Sequence, residues 1–143
     1  MIATRNIMSL DVGSRRIGVA LASHEARMAE ALLTIDRLDS ADIYPVLIEL
    51  FKKYSVDIVV VGLPRGMEGQ ETAQTASARE FAAGLEKACG LKIYMQDEAV
   101  TSLEAEDELR ARKKPYQKGD IDKLAAAIIL RDWLAENVAG VIS

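Results

Sequence analysis

Three carboxylates far apart in the sequence, Asp11, Glu98 and Asp122, share one setting: each lies at or near the end of a segment that otherwise reads as buried. Asp11 closes the run Ile7-Met8-Ser9-Leu10. Glu98 follows a strand-like segment in Tyr94-Met95-Gln96-Asp97-Glu98. Asp122 falls in the first turn expected of the last helix, beside an apolar run. In an open α/β sheet, ligands bind outside the carboxyl ends of the strands. If the strands that carry Asp11 and Glu98 are adjacent and parallel, both acids share such an edge, and the last helix can bring Asp122 across to them. Three converging carboxylates repel one another and need cations to offset that cost. Hard divalent ions take oxygen ligands, and two of them can activate a water and stabilise the leaving oxygen of a phosphodiester.

Each acid also has a purely structural use. Asp11 can make an Asx-turn before Gly13. Asp122 can favour the positive end of a helix. Glu98 can be an exposed loop acid, with Asp97 the functional member of that pair. Taken one at a time, the two uses weigh about equally.

Other chemistry finds little support. His24 is the only histidine, so a histidine metal cluster is excluded. There is no Gly-x-Ser-x-Gly elbow and no Gly-x-x-x-x-Gly-Lys-Ser/Thr phosphate loop. Gly66 and Gly69 suit a turn better than a phosphate cradle. The single cysteine, Cys89, cannot form an intramolecular bridge and reads as a small packing residue, which fits a reducing cytoplasm. The sequence shows no secretory leader and no apolar run approaching the ~20 residues of a membrane span.

The net charge of −4 counts against bulk polyanion binding, but its distribution matters more. From Arg110 to Lys123 there are six basic residues against Asp120 and Asp122. Within this segment Lys113, Lys114, Tyr116, Lys118 and Lys123 combine positive charge with one aromatic ring, which suits a nucleic-acid backbone and a stacked base. A solvated loop has the same composition. Arg15 and Arg16 follow Gly13 in a hairpin turn, either exposed or in contact with phosphates.

The elements that must position these groups follow from periodicity. At 143 residues the chain fits one domain, residues 1–143. Strands are expected at about Asn6–Asp11, Gly18–Ser23 and Ala29–Asp36, as an antiparallel meander. Ser40 can cap a helix to about Tyr54. The segment Asp57–Val61, β-branched and apolar on both faces, reads as a buried central strand. A helix over about Glu71–Cys89, a strand over Leu91–Gln96 and a helix from a Thr101-Ser102-Leu103-Glu104 capping box to about Arg112 follow. A last helix spans about Asp120–Asn137. The order βββαβαβαα implies an α/β fold, a five-stranded mixed sheet with helices on both faces.

Four segments, LDVGSRRIGVALAS (10–23), VVVGLPRGMEG (59–69), DEAVTSLEAE (97–106) and IDKLAAAIIL (121–130), together resemble the YqgF (RuvX) family of pre-16S rRNA nucleases, earlier described as Holliday junction resolvases. The resemblance spans nearly the whole chain. It implies an RNase H-like fold and identifies Asp11, Glu98 and Asp122 as an acidic set, catalytic and metal-holding, for Mg²⁺ or Mn²⁺ and two ions. The implied activity is phosphodiester hydrolysis in 5′-end processing of precursor 16S rRNA in the cytoplasm, by a monomer or a homodimer acting on structured RNA, with branched DNA as the near alternative. One departure stands out: Ala99 takes the place where the family carries an arginine after the Asp-Glu pair. That favours a third reading, a non-catalytic nucleic-acid-binding or transcription-associated factor. An actin-like kinase or ATPase, which also opens on Asp-x-Gly, needs two lobes, whereas this chain has length for one.

Overall fold

The computed structural model describes residues 5–98 and 101–137. Five strands, β1 (Asn6–Val12), β2 (Arg16–Ser23), β3 (Glu30–Asp36), β4 (Val56–Pro64) and β5 (Lys92–Glu98), and four helices, α1 (Ile43–Lys53), α2 (Ala73–Cys89), α3 (Thr101–Ala111) and α4 (Lys118–Glu136), follow the expected order, with one turn of 3₁₀ helix at Arg37–Asp39. The sheet order is β3-β2-β1-β4-β5. β1, β2 and β3 form the antiparallel meander, and β4 and β5 join it in parallel.

β4 therefore stands between β1 and β5, so the strands that carry Asp11 and Glu98 run parallel but are not adjacent. The reason is β4 itself: Val59, Val60 and Val61 are all buried, and a strand apolar on both faces belongs in the middle of a sheet.

Strand alternation sorts the core into two layers. Met8, Leu10, Val19, Val59 and Val61 face α1 and α2, against Leu47, Phe51, Phe81 and Leu85. Ile7, Ala20, Ala22 and Val60 face α3 and α4, against Leu124, Ile129, Leu130 and Trp133. α4 touches every strand as well as α3. That explains why Leu124–Leu130 is buried without a break, as expected for a helix covered on most sides. Trp133, 2% exposed, packs its ring against Tyr94 with centroids 5.4 Å apart.

Local chemistry sets the boundaries. α1 is capped by Asp42, whose carboxylate accepts from the Tyr44 N–H at 3.1 Å, and not by Ser40; the intervening residues Ser40–Asp42 stay extended or bent. α2 is capped by Thr72 and ends at Gly90, whose φ of 72° supplies the left-handed turn. α4 begins at Lys118, two residues earlier than expected. Gln117 is its N-cap, and Asp120 returns a carboxylate oxygen to the Gln117 N–H at 2.9 Å. The first-turn acid is thus Asp120 and not Asp122. Ala99 and the Thr101 hydroxyl expected to cap α3 lie outside the described residues.

α4 sits unusually close to β2. A Cβ at Gly18 would stand 1.9 Å from the Asp122 carbonyl oxygen and 2.8 Å from the Lys123 nitrogen. Two further bonds hold the helix down. The buried Ser9 hydroxyl donates to the Ala126 carbonyl at 2.6 Å, and Thr34 donates to the Gly119 carbonyl at 2.6 Å. Gly18→Ala must push α4 off the sheet, because its contact is backbone. Its expected cost, read by urea unfolding, is at the upper end of the ~1–3 kcal/mol typical of overpacking.

Candidate active site

Asp11 is the penultimate residue of β1 and pairs with Gly18 of β2. On its other side Leu10 pairs with Val61, so Gly62 of β4 follows beside Asp11. Asp11 thus points to the α4 face from between two glycines. Glu98, the last residue of β5, pairs with Pro64 one strand further out. Its side chain reaches back over β4: a Cβ at Gly62 would stand 2.9 Å from Glu98 Oε2 and 2.6 Å from Ile129 Cδ1. The missing side chain at Gly62 is what lets Glu98 approach Asp11 across an intervening strand. Asp122 arrives from α4, in its second turn, over Gly18.

The three acids sense one another. The Asp11 carboxyl is pushed up from its ordinary 3.8 to about 8, first by burial and then by the charges of Glu98 and Asp122. They do not form a closed coordination set: among the described residues no three His, Cys, Asp or Glu groups stand ready to hold a metal ion. Asp122 is instead held by Arg16, Nε to Oδ2 at 2.5 Å, both side chains partly exposed. A guanidinium here offsets part of the repulsion that gathering three carboxylates creates.

The remaining expected residues divide. Arg15 lies on the exposed hairpin turn beside Asp36 at 3.5 Å. The turn closes with the Gly13 N–H on the Arg16 carbonyl at 2.9 Å, and Arg37 binds the Gly13 carbonyl at 2.8 Å. Gly13 owes its place to close approach, since a Cβ would stand 2.8 Å from that Arg16 carbonyl. Lys114, Tyr116 and Lys123 line one depression beside α4, which Lys113 and Lys118 do not enter. Lys113 lies in the turn after α3 with φ 57°, and Lys118 is exposed at the start of α4. His24 is engaged with Asp57 at 2.7 Å, far from the acids in the fold's connectivity, and Cys89 packs at the edge of the α1/α2 layer. The Gly66–Gly69 loop folds on itself through the Gly66 N–H to Gln70 carbonyl bond at 2.8 Å.

Three contributors escaped the sequence reading. Gly18 opens the expected second strand and Gly62 follows the expected central one; both lie inside observed strands, where a glycine signals close approach of something else. Arg65, directly after β4, donates its backbone N–H to the Glu98 carbonyl at 3.1 Å and its guanidinium to Asp97 at 3.2 Å. It therefore fixes the end of β5 and brings a cation to the acidic edge.

Residues 5–136 match the RuvX family, described as Holliday junction resolvase. The chain belongs to the RuvX family. It is 40% identical over 129 residues to a protein of Anaeromyxobacter sp. (strain K) named "Putative pre-16S rRNA nuclease", covering 89% of this chain and 94% of that one. A protein of the same name from Crocosphaera subtropica (strain ATCC 51142 / BH68) is 40% identical over 137 residues, covering 94% and 96%. The fold resembles that of T. thermophilus RuvC in complex with a Holliday junction substrate, with a TM-score of 0.57 and 15% identity over 92% of this chain and 95% of that one. The free T. thermophilus RuvC gives a TM-score of 0.55. The RuvX chain thus has the RNase H-like fold that the resemblance implied, on the five-stranded mixed sheet expected from its element order.

Two outcomes follow from the geometry. With no cation present, the raised Asp11 value means that the folded chain holds a proton the unfolded chain releases. This stabilisation is complete below pH 3.8 and is lost as the pH rises to about 8. Asp11→Asn abolishes the loss, so at pH 8 the metal-free variant melts several degrees above wild type, on a scale of ~2–4 °C per kcal/mol. The gap closes near pH 4, as calorimetry in chelator will show. Gly62→Ala displaces Glu98, so the Asp11 carboxyl, followed by carbon-detected NMR titration, moves down from about 8 toward the ordinary range.

Proposed function

We propose that this RuvX protein is a divalent-metal-dependent endonuclease that hydrolyses phosphodiester bonds in 5′-end processing of precursor 16S rRNA, in the cytoplasm, with one domain carrying the whole activity. The observation that supports it best is the meeting of Asp11, Glu98 and Asp122 at one sheet edge, across two glycines. The donor set is all carboxylate oxygen, which suits Mg²⁺ or Mn²⁺ better than a softer ion. Its mutual repulsion, visible in the Asp11 proton affinity, is what a bound cation would relieve.

Asp11, whose carboxyl is raised by burial and by the charges of the other two, would hold the ions together with Glu98 and Asp122. Bound divalent ions supply an activated water and charge stabilisation for the leaving oxygen. The rest falls to the protein. β1 and β5 hold their acids on rigid strand ends. Arg16 must release Asp122 as a ligand, and on release its guanidinium is free to meet a phosphate oxygen. Arg65 keeps β5 from fraying beside Glu98. In the overall step a water oxygen bonds to phosphorus, the bond from phosphorus to the leaving ribose oxygen breaks, and that oxygen takes up a proton.

The family description names a second substrate, the Holliday junction. The same three carboxylates serve either phosphodiester, because contacts to phosphate carry no base information. A homodimer suits the two-fold symmetry of a four-way junction, and a monomer suits trimming of one RNA end.

The deciding experiment incubates the protein with a labelled precursor rRNA and, separately, a four-way DNA junction, with and without Mn²⁺. Wild type cuts the RNA only with metal, and Asp11→Asn lowers the rate by at least about 100-fold. Equal cutting by both proteins assigns the cleavage to a contaminant and removes the three-acid mechanism. Binding without cutting by both proteins favours the non-catalytic factor. Cutting of the junction alone favours the resolvase.

A further inference from the structure

The face of α4 that carries Asp122 is occupied by the sheet, but the neighbouring face opens on a depression of about 460 Å³. Its floor is apolar: Leu109 from α3 and Leu124 and Ala127 from α4, all at most 8% exposed. Its rim is cationic, with Arg112 and Lys114 from the α3–α4 connection and Lys123 and Arg131 from α4. Two acids, Glu30 and Asp120, also reach it; Asp120 accepts from the Gln117 N–H and pairs with Lys123 at 3.4 Å, a half-exposed pair that a phosphate can replace. Arg112 pairs with Glu108 at 3.4 Å and Arg131 offsets the charge of its neighbour Asp132, whereas Lys114 has no ion pair among the described residues. A chain of net charge −4 has thus placed four cations against two acids in the lining of one apolar hollow.

Tyr116 forms one wall. Its ring packs against the α3/α4 core, and its hydroxyl bonds Glu106 at 3.4 Å, so it is a fixed platform and not a loose side chain. Along α4 the hollow runs from Asp120 to Arg131, eleven residues or ~16 Å at 1.5 Å per residue. Its upper end lies within one helical turn of Asp122. A second depression of about 440 Å³ shares Ala29 and Arg131 with the first and continues past Leu134.

We propose that this groove binds a single-stranded segment of the nucleic acid leading away from the cut site, with phosphates on Lys114, Lys123 and Arg131 and one base unstacked against Tyr116 over the Leu124–Ala127 floor. Charge complementarity selects a polyanion, and an apolar floor with one aromatic wall selects a polyanion that carries flat rings. The proposal rests on the nuclease reading, because the groove serves the acids only if they act on a phosphodiester. It goes further by giving the strand a direction and requiring an unpaired segment next to the scissile bond. Arg131, which composition alone did not single out, is on the Lys123 face by helical spacing (123, 127, 131).

The test uses fluorescence anisotropy with a labelled 12-nucleotide RNA, an abasic version of it, and polyglutamate as competitor, all on the full chain carrying Asp11→Asn so that no cutting intervenes. Lys114→Glu and Arg131→Glu are expected to raise Kd ~10-fold or more each, and to lower the slope of log K against log salt by about 0.7 per lost contact. Ala31→Trp, which fills the hollow from its exposed β3 side, weakens binding similarly. Tyr116→Leu costs at least about 5-fold on the intact strand and little on the abasic one. Lys87→Glu, an exposed charge reversal on α2 across the sheet, leaves Kd unchanged. Melting curves check that each variant folds. Groove variants that bind as tightly as their parent overturn the groove while the nuclease reading stands. Equal affinity for the abasic strand, or displacement by polyglutamate at matched charge, overturns the base-binding site. If wild type neither binds nor cuts any nucleic acid, both readings fall together.

Discussion

Everything at the acidic edge depends on two missing side chains. Gly18 and Gly62 flank Asp11 in adjacent strands, on the sheet face that α4 covers. At Gly18 the backbone of α4 sits where a Cβ would be, and at Gly62 the Glu98 carboxyl group does. Any larger residue at either position separates one acid from Asp11. The constraint is steric and local, yet it decides whether carboxylates from three distant segments form one site or three unrelated surface charges.

Holding them together has a cost, and the fold offsets it elsewhere. Asp11 is buried enough, and close enough to two other acids, to prefer its proton to about pH 8. A protein selected for stability alone would avoid that arrangement. The helix that delivers Asp122 is anchored by Ser9, by Thr34 and by the burial of Leu124–Leu130 and Trp133. Arg16 neutralises Asp122 when no other cation does. The same helix then turns a second face toward the basic groove. One rigid element thus positions Asp122 and, on the groove proposal, the strand that runs past it.

Much of this was legible in the sequence. Short apolar runs punctuated by glycine and charge gave the element order, and their positions at element ends made Asp11, Glu98 and Asp122 candidates. What could not be read was lateral. A one-dimensional pattern says that Val59–Val61 is buried on both faces but not that it separates β1 from β5. Gly62 reads as the end of a strand, and its use appears only once Glu98 is seen crossing it. Caps are ambiguous for a similar reason: Ser40 and Asp42 are both N-cap residue types, and only the fold shows the Asp42 carboxylate accepting from the Tyr44 N–H. Asp122 looked like a first-turn acid because the true first turn, Lys118–Asp120, resembles the basic loop before it. The pairing of Arg16 with Asp122, 106 residues apart, is likewise invisible without the fold.

The central claim is that these three acids form one cation site. Anomalous diffraction from crystals soaked in Mn²⁺ tests it most directly. The account predicts Mn²⁺ density bounded by the carboxylates of Asp11, Glu98 and Asp122, with Asp122 turned away from Arg16. It is contradicted if Asp122 stays on Arg16 with no density among the acids, or if the same density persists unchanged in Asp11→Asn.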